Sequence, residues 1–162
     1  MMTVGGELDS ASDHALRVEA VYRRVHDRLW RSLLASCRDP EIASDAEAEA
    51  FAQVLRRGDE VVDVERWVWK SALRILDGMM ARSPAPASDV GPVGLGPSTV
   101  EFLDLVSELS AQQRKIVVLR YVAQLTPSEI AGAIDSSAGS VRVQLHRAHR
   151  SLRSSLDNNE QS

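Results

Sequence analysis

Between Ser140 and Arg147 the chain carries four side chains suited to reading nucleic acid: Ser140, Arg142, Gln144 and Arg147. Arginine can fork onto guanine O6 and N7, glutamine onto the edge of adenine, and serine onto either a base or a phosphate. Gly139, just ahead of them, lets backbone approach a phosphate closely at a helix N-terminus. From Ala138 to Leu156 there are four arginines (Arg142, Arg147, Arg150, Arg153), two histidines (His146, His149) and no acid. His146, Arg150 and Arg153 lie further along and suit phosphates if they meet DNA at all. A solvated, arginine-rich helix on a small bundle is the alternative reading of the same residues.

The segments ahead of these residues favour the first reading. Val141, Leu145, Ala148, Leu152 and Leu156 recur at helical spacing and form an inward face, which turns Ser140, Arg142, Gln144 and Arg147 toward solvent. Ser137 is placed to cap that helix. Before it, Thr126-Pro-Ser-Glu129 is a capping box with proline at the first helical position, opening a short helix through Ile130, Ala131 and Ile134. Earlier still, Ser110-Ala-Gln-Gln113 is a second box, opening a helix through Ile116, Leu119 and Tyr121. A short helix, a tight turn and a longer basic helix make a helix-turn-helix, whose second helix offers its first turns to the major groove.

The N-terminal half reads as three helices. Val18, Tyr22, Val25, Leu29, Leu33 and Ser36 form one helical face, and Asp39-Pro40 starts the next helix, with Ile42, Ala43, Ala46, Ala50 and Val54 inward and Gly58 as its stop. The third runs from near Asp63 with Val64, Trp67, Val68, Ser71, Ile75 and Met79 on one side. Trp69, about 200° around from Trp67, is expected to be at least partly exposed. No strand-like alternation competes, so both halves read as all-α.

Between them, residues 83–98 hold four of the six prolines and three of the nine glycines and read as a linker. As a coil this segment would average roughly 20–24 Å end to end, enough for two modules to occupy separate sites on a large partner. The expected organisation is a flexible tail over 1–14, a helical module over 15–82, the linker, a helix-turn-helix module over 99–156 and a tail over 157–162. There is no internal repeat.

Composition narrows the function further. The 162 residues are 44% hydrophobic and 26% charged, a globular balance, with a net charge of −4. A locally basic face is compatible with DNA binding despite that overall acidity. Only two of the 19 cations are lysine, which favours bidentate phosphate and guanine contacts, although a high-GC codon bias accounts for the same excess. The longest aliphatic run, Ile116 to Leu119, is too short to span a bilayer, and the acidic start does not resemble a secretory signal. A cytoplasmic location is the resulting expectation. The single cysteine, Cys37, excludes a disulfide framework and multi-thiolate zinc, and is read as packing. With no glycine-rich phosphate loop, His–Glu metal spacing or nucleophile elbow, the chain is expected to be no enzyme and to need neither metal nor cofactor.

Leu109-Ser-Ala-Gln-Gln-Arg-Lys-Ile-Val-Val-Leu-Arg-Tyr, Ser128-Glu-Ile-Ala and Gly139-Ser-Val-Arg-Val-Gln-Leu-His-Arg-Ala together resemble the fourth conserved region of bacterial sigma factors, most closely the extracytoplasmic-function (ECF) group. Ala43-Ser-Asp-Ala-Glu-Ala-Glu-Ala-Phe51 is similar to that group's second region, and Arg66-Trp-Val-Trp-Lys-Ser-Ala-Leu-Arg74 to the helix after it. The resemblance implies that the fourth region reads the promoter −35 element and touches the polymerase flap. It implies that the second region docks on core RNA polymerase through Asp45, Glu49 and Phe51 and opens the −10 element, with Trp69, Lys70 and Arg74 facing DNA. For the two acids a solvated helix face is the alternative.

An anti-sigma partner is also implied. The chain departs from the group's pattern at Ala48, where glutamine is usual, and at Arg74, where asparagine is usual. It departs again at Gly78, where an aspartate is expected and Asp77 comes one step early. Asp135 and Ser136 stand where the turn of the helix-turn-helix usually has a glycine and an apolar residue. A stand-alone helix-turn-helix regulator, and a sigma-like protein that docks without melting promoters, are the competing readings.

Overall fold

The computed structural model describes residues 4–82 and 97–161. Seven α-helices follow in order among them: α1 (Val4–Cys37), α2 (Pro40–Arg57), α3 (Val64–Arg82), α4 (Pro97–Val106), α5 (Ala111–Tyr121), α6 (Pro127–Ala133) and α7 (Ala138–Glu160). A single 3-10 turn, Gly58–Glu60, links α2 to the approach of α3. The described residues contain no strand, as the hydrophobic periodicity requires. Apart from Pro97 and Ser98, which open α4, the segment read as a linker lies outside the described residues.

Helices α1, α2 and α3 pack on one another as the N-terminal bundle. Val18, Val21, Val25, Leu29 and Leu33 of α1 are buried, as are Ala43, Ala46, Ala50 and Val54 of α2. Asp39 caps α2 by accepting from the amides of Glu41 and Ile42, and Gly58 ends it at φ 65°, a left-handed conformation that suits glycine. Tyr22, expected inward, lies at the rim, where its ring stacks on His26 and meets Phe51 edge-on. Val21 takes the core position instead.

Helix α1 also starts at Val4, inside the segment expected to be a tail. Its first turns are held from outside. His14 is buried and its Nε2 donates to the Val54 carbonyl at 2.9 Å, while Ser10 and Arg17 both reach Asp59. At the other end, α7 runs to Glu160 through most of the expected C-terminal tail, and Leu156, expected inward, is half exposed.

Helix α3 departs most from its sequence pattern. Val64 and Val68 are buried as expected, but Trp69, Ala72, Leu73 and Leu76 are buried too, and Trp67, Ile75 and Met79 are only partly covered. The reason is that α3 has two neighbours. It packs on α1 and α2 on one side and on α6 of the C-terminal module on another. A single-stripe reading assumes one.

In the C-terminal module α5 is central. Ile116, Val117, Val118 and Leu119 are all buried, which for four consecutive residues means cover on every side of the helix. Helices α6 and α7 supply part of that cover and α1 of the other module another part. Ser110 caps α5 by accepting from the Gln113 amide, but the Gln113 side chain reaches across to α7 instead of completing the box. The box at α6 is complete. Thr126 accepts from the Glu129 amide at 3.2 Å, and Glu129 accepts from the Thr126 amide at 3.0 Å.

Candidate nucleic-acid interface

The turn between α6 and α7 holds Asp135 at φ 55°, the left-handed region that aspartate tolerates better than most residues. The Ser136 amide then donates back to the Ala131 carbonyl, and Ser137 caps α7 by accepting from the Ser140 amide at 3.1 Å. Val141, Leu145 and Ala148 are buried and Leu152 packs against the core, so one edge of α7 is anchored. Its rotation about its axis is thereby fixed.

That rotation sorts the four candidate residues. Ser140, Arg142 and Arg147 are exposed, while Gln144 is half-buried, with its Oε1 accepting from Gln113 Nε2 at 3.5 Å. At about 100° per residue, Ser140, Gln144 and Arg147 lie along one strip of the helix. Arg142 lies about 140° from Arg147 and cannot share that strip. Val143, 49% exposed, lies directly opposite the buried edge, as does Arg150. Sequence reasoning passed over Val143 because it looks like core, yet counting from the buried positions places it outward. On a helix that enters a major groove, an exposed aliphatic group is suited to the thymine methyl. Further along, His149 Nε2 lies 2.6 Å from the Tyr121 hydroxyl, which ties it to α5.

The candidates on α3 sit differently. Trp69 is 3% exposed, contrary to its expected exposure, and α6 is what covers it: Trp69 lines a cavity together with Leu125, Ala131 and Gly132. Lys70 Nζ lies 2.7 Å from Asp135 Oδ1, and Arg74, on the same strip one turn on, is 4.0 Å from Asp135 Oδ2. The hydrogen bond from Lys70, helped by the charges of Lys70, Arg74 and Arg66, holds the Asp135 carboxyl below the usual aspartate range. Trp69, Lys70 and Arg74 are thus brought together, but against the second module.

On α2, Asp45 and Glu49 share one outward face. Asp45 is exposed, and Glu49 accepts from Gln53 at 2.9 Å and from Arg56 at 3.0 Å, contacts that lower its pKa, Gln53 first. Phe51 does not join them. It is 7% exposed, with Tyr22 at a centroid distance of 5.0 Å. Sequence reasoning also missed Glu47, which is buried and lies 2.6 Å from His26 Nδ1. Burial raises its pKa and the hydrogen bond from His26 opposes that rise.

The class these features define is a helical bundle joined to a capped helix-turn-helix with an arginine face. Residues 99–152 match the family model described as Sigma-70, region 4, a span that takes in most of α4, all of α5 and α6, and the anchored part of α7. The chain is similar to an RNA polymerase sigma-E factor of Streptomyces avermitilis, 27% identical over 169 residues covering 93% of this chain and 90% of that protein. The RNA polymerase sigma-E factor of Streptomyces coelicolor is 28% identical over 87% of this chain and 86% of its own length. The ECF RNA polymerase sigma factor SigD of Mycobacterium tuberculosis is 36% identical over a shorter stretch, 43% of this chain and 34% of that protein. Residues 99–152 thus carry a sigma-70 region 4, and most of the chain is similar to RNA polymerase sigma-E factors and to ECF sigma factors.

Proposed function

We propose that this chain directs core RNA polymerase to promoters, with α7 reading the −35 element and the N-terminal bundle docking on core and engaging the −10 element. The observation that supports it most is the coincidence of the region 4 match with a helix whose outward arginines have no acid partner among the described residues. On this reading Ser140, Val143, Gln144 and Arg147 face bases, while Arg142, Arg150 and Arg153 meet phosphates. Asp45 and Glu49 form the docking face. Phe51 supports that face from behind, through Tyr22, and does not touch core itself.

The chain acts by binding, with no catalytic residue of its own. No helix among the described residues is long and apolar enough to cross a membrane, which fits work in the cytoplasm. The resemblance to its group further implies an anti-sigma partner that holds the free chain inactive.

The test is co-elution of the purified chain with sigma-free core polymerase, followed by run-off transcription from the promoter it selects. One-to-one binding with transcripts is the expected result. Binding without transcripts from any selected promoter would identify a docking-only relative, for which the altered positions Arg74 and Gly78 are the place to look. A chain that ignores core and dimerises on a palindrome would be a stand-alone regulator.

A further inference from the structure

One end of the Gln144 side chain is already engaged before any base arrives. Its Oε1 accepts from Gln113 Nε2 at 3.5 Å, which ties the second turn of α7 to the first turn of α5. Gln113 is the third residue of α5, where the unpaired amides of a helix start give partial positive charge. That charge draws the carbonyl end of a nearby side-chain amide and turns its NH2 away. Gln113 is thereby set to donate across to α7, and Gln144 to accept.

The other end of Gln144 is free. Its Nε2 has no hydrogen-bond partner among the described residues and is not sealed from solvent. Oxygen and nitrogen branch apart from one planar amide, so with Oε1 turned to α5 the NH2 is what Gln144 offers an incoming base. Forking onto adenine needs both ends in the groove, the oxygen for the N6 amino group and the nitrogen for N7. A glutamine showing only NH2 bonds acceptors alone. In the major groove guanine O6 and thymine O4 are acceptors where adenine and cytosine carry amino groups. Adenine N7 also accepts, but its amino group would then face a second donor.

We propose that Gln113 sets the base preference of Gln144, holding its amide so that it selects the keto oxygen of guanine or thymine and not an amino group. Gln113 is a positioning residue, acting on DNA through Gln144. The inference rests on the reading of α7 as the helix that meets the −35 element. It replaces the adenine contact that a glutamine suggests by residue type alone.

The experiment selects −35 sequences from a randomised promoter library with holoenzyme assembled from core polymerase and the full chain. Gln144→Ala identifies the pair Gln144 meets, as the position whose preference flattens. At that pair, base analogues then remove either the keto oxygen or the amino group. Each deletion weakens the base pair itself for both chains, so the excess loss over Gln144→Ala belongs to Gln144. Removing the keto oxygen should show an excess of about 5-fold or more, and removing the amino group none. Gln113→Ala frees the Gln144 amide and should abolish the keto excess, while Gln113→Lys, which keeps only donors, should retain it. An excess on the amino group in the unaltered chain would overturn the proposal. So would a keto excess that Gln113→Ala leaves intact, or one lost equally in Gln113→Lys. If Gln144→Ala flattens no pair, the proposal falls, and Arg147→Ala tells the two failures apart. Relaxed preference with Arg147→Ala would keep α7 in the groove without Gln144, whereas no relaxation would remove −35 reading by α7 altogether.

Discussion

Arg142 and Arg147 are both exposed arginines near the start of α7, yet they lie on different sides of the helix, and the proposed reading gives them different work. Arg147 shares its strip with Ser140 and Gln144, two turns along from Ser140. Arg142 borders the buried edge on the opposite side. Neither makes an ion pair among the described residues, so removing either should change stability by no more than about 0.5 kcal/mol. Whatever each substitution does to DNA binding is then a contact effect. If Arg147 forks onto a guanine, Arg147→Ala should cost ~1–3 kcal/mol, or roughly 5–150-fold in affinity, and relax the preference at one base pair.

Arg142→Ala should instead weaken binding to all sequences alike and reduce the slope of log affinity against log salt by about one. Both can be read by fluorescence anisotropy with holoenzyme on the selected promoter. The measurement needs a set of single-base variants of the −35 element at several salt concentrations. If Arg142→Ala alters base preference while Arg147→Ala leaves it intact, the rotation of α7 deduced from its buried edge is wrong for the complex. Equal, sequence-independent losses for both would mean that α7 lies along the backbone without entering the groove.

Three further outcomes follow from the same geometry. Glu49→Lys reverses charge on the face that Asp45 shares and should weaken core polymerase binding at least several-fold while leaving duplex binding through α7 unchanged; unaltered core affinity in a pull-down would remove Glu49 from the docking face. Thr126→Ala deletes half of the α6 capping box and should cost ~1 kcal/mol. Calorimetry should show a melting shift of about 4–8 °C if the C-terminal module melts as its own unit, and only about 2–4 °C if the whole chain melts together. Burial raises the pKa of Glu47, so the folded chain binds a proton there that the unfolded chain releases at lower pH. Its contribution therefore declines as pH rises from the ordinary glutamate value of 4.5 through the raised one, and Glu47→Gln should flatten the melting temperature over that window. An unchanged pH profile would show that His26 compensates the burial fully.

What was legible in the sequence was whatever one helix decides by itself. The caps at Asp39, Thr126 and Ser137 announce α2, α6 and α7 because each satisfies amides within three residues of itself. The buried edge of α7 follows from its own spacing, and Val143 could have been found by counting outward from it. What was not legible depends on a second element. Trp69 is exposed by the periodicity of α3 and buried by the arrival of α6, and nothing local in residues 64–82 records that arrival. The first turns of α1 are similar. Gly5 and Gly6 and the nearby acids look like a tail, but His14 finds the Val54 carbonyl and Asp59 collects Ser10 and Arg17. Phe51 fits the docking motif by sequence, yet it lies two residues beyond Glu49, on the side of α2 that faces α1.

The same distinction explains how an acidic chain can present a DNA-binding face. Its net charge of −4 is a sum, and the structure shows where the terms cancel. Asp59, Glu65, Asp77, Asp104 and Asp135 each hold an arginine or lysine from a distant part of the chain. These carboxylates neutralise cations of the bundle and of the contact between modules. None is within reach of Arg142, Arg147, Arg150 or Arg153, which have no ion-pair partner among the described residues. A phosphate approaching α7 therefore meets arginines that have no internal bond to give up. One approaching Lys70 and Arg74 must first displace Asp135. The two surfaces differ in charge because of where the acids lie: the α7 arginines stand unopposed among the described residues, whereas Asp135 already opposes Lys70 and Arg74.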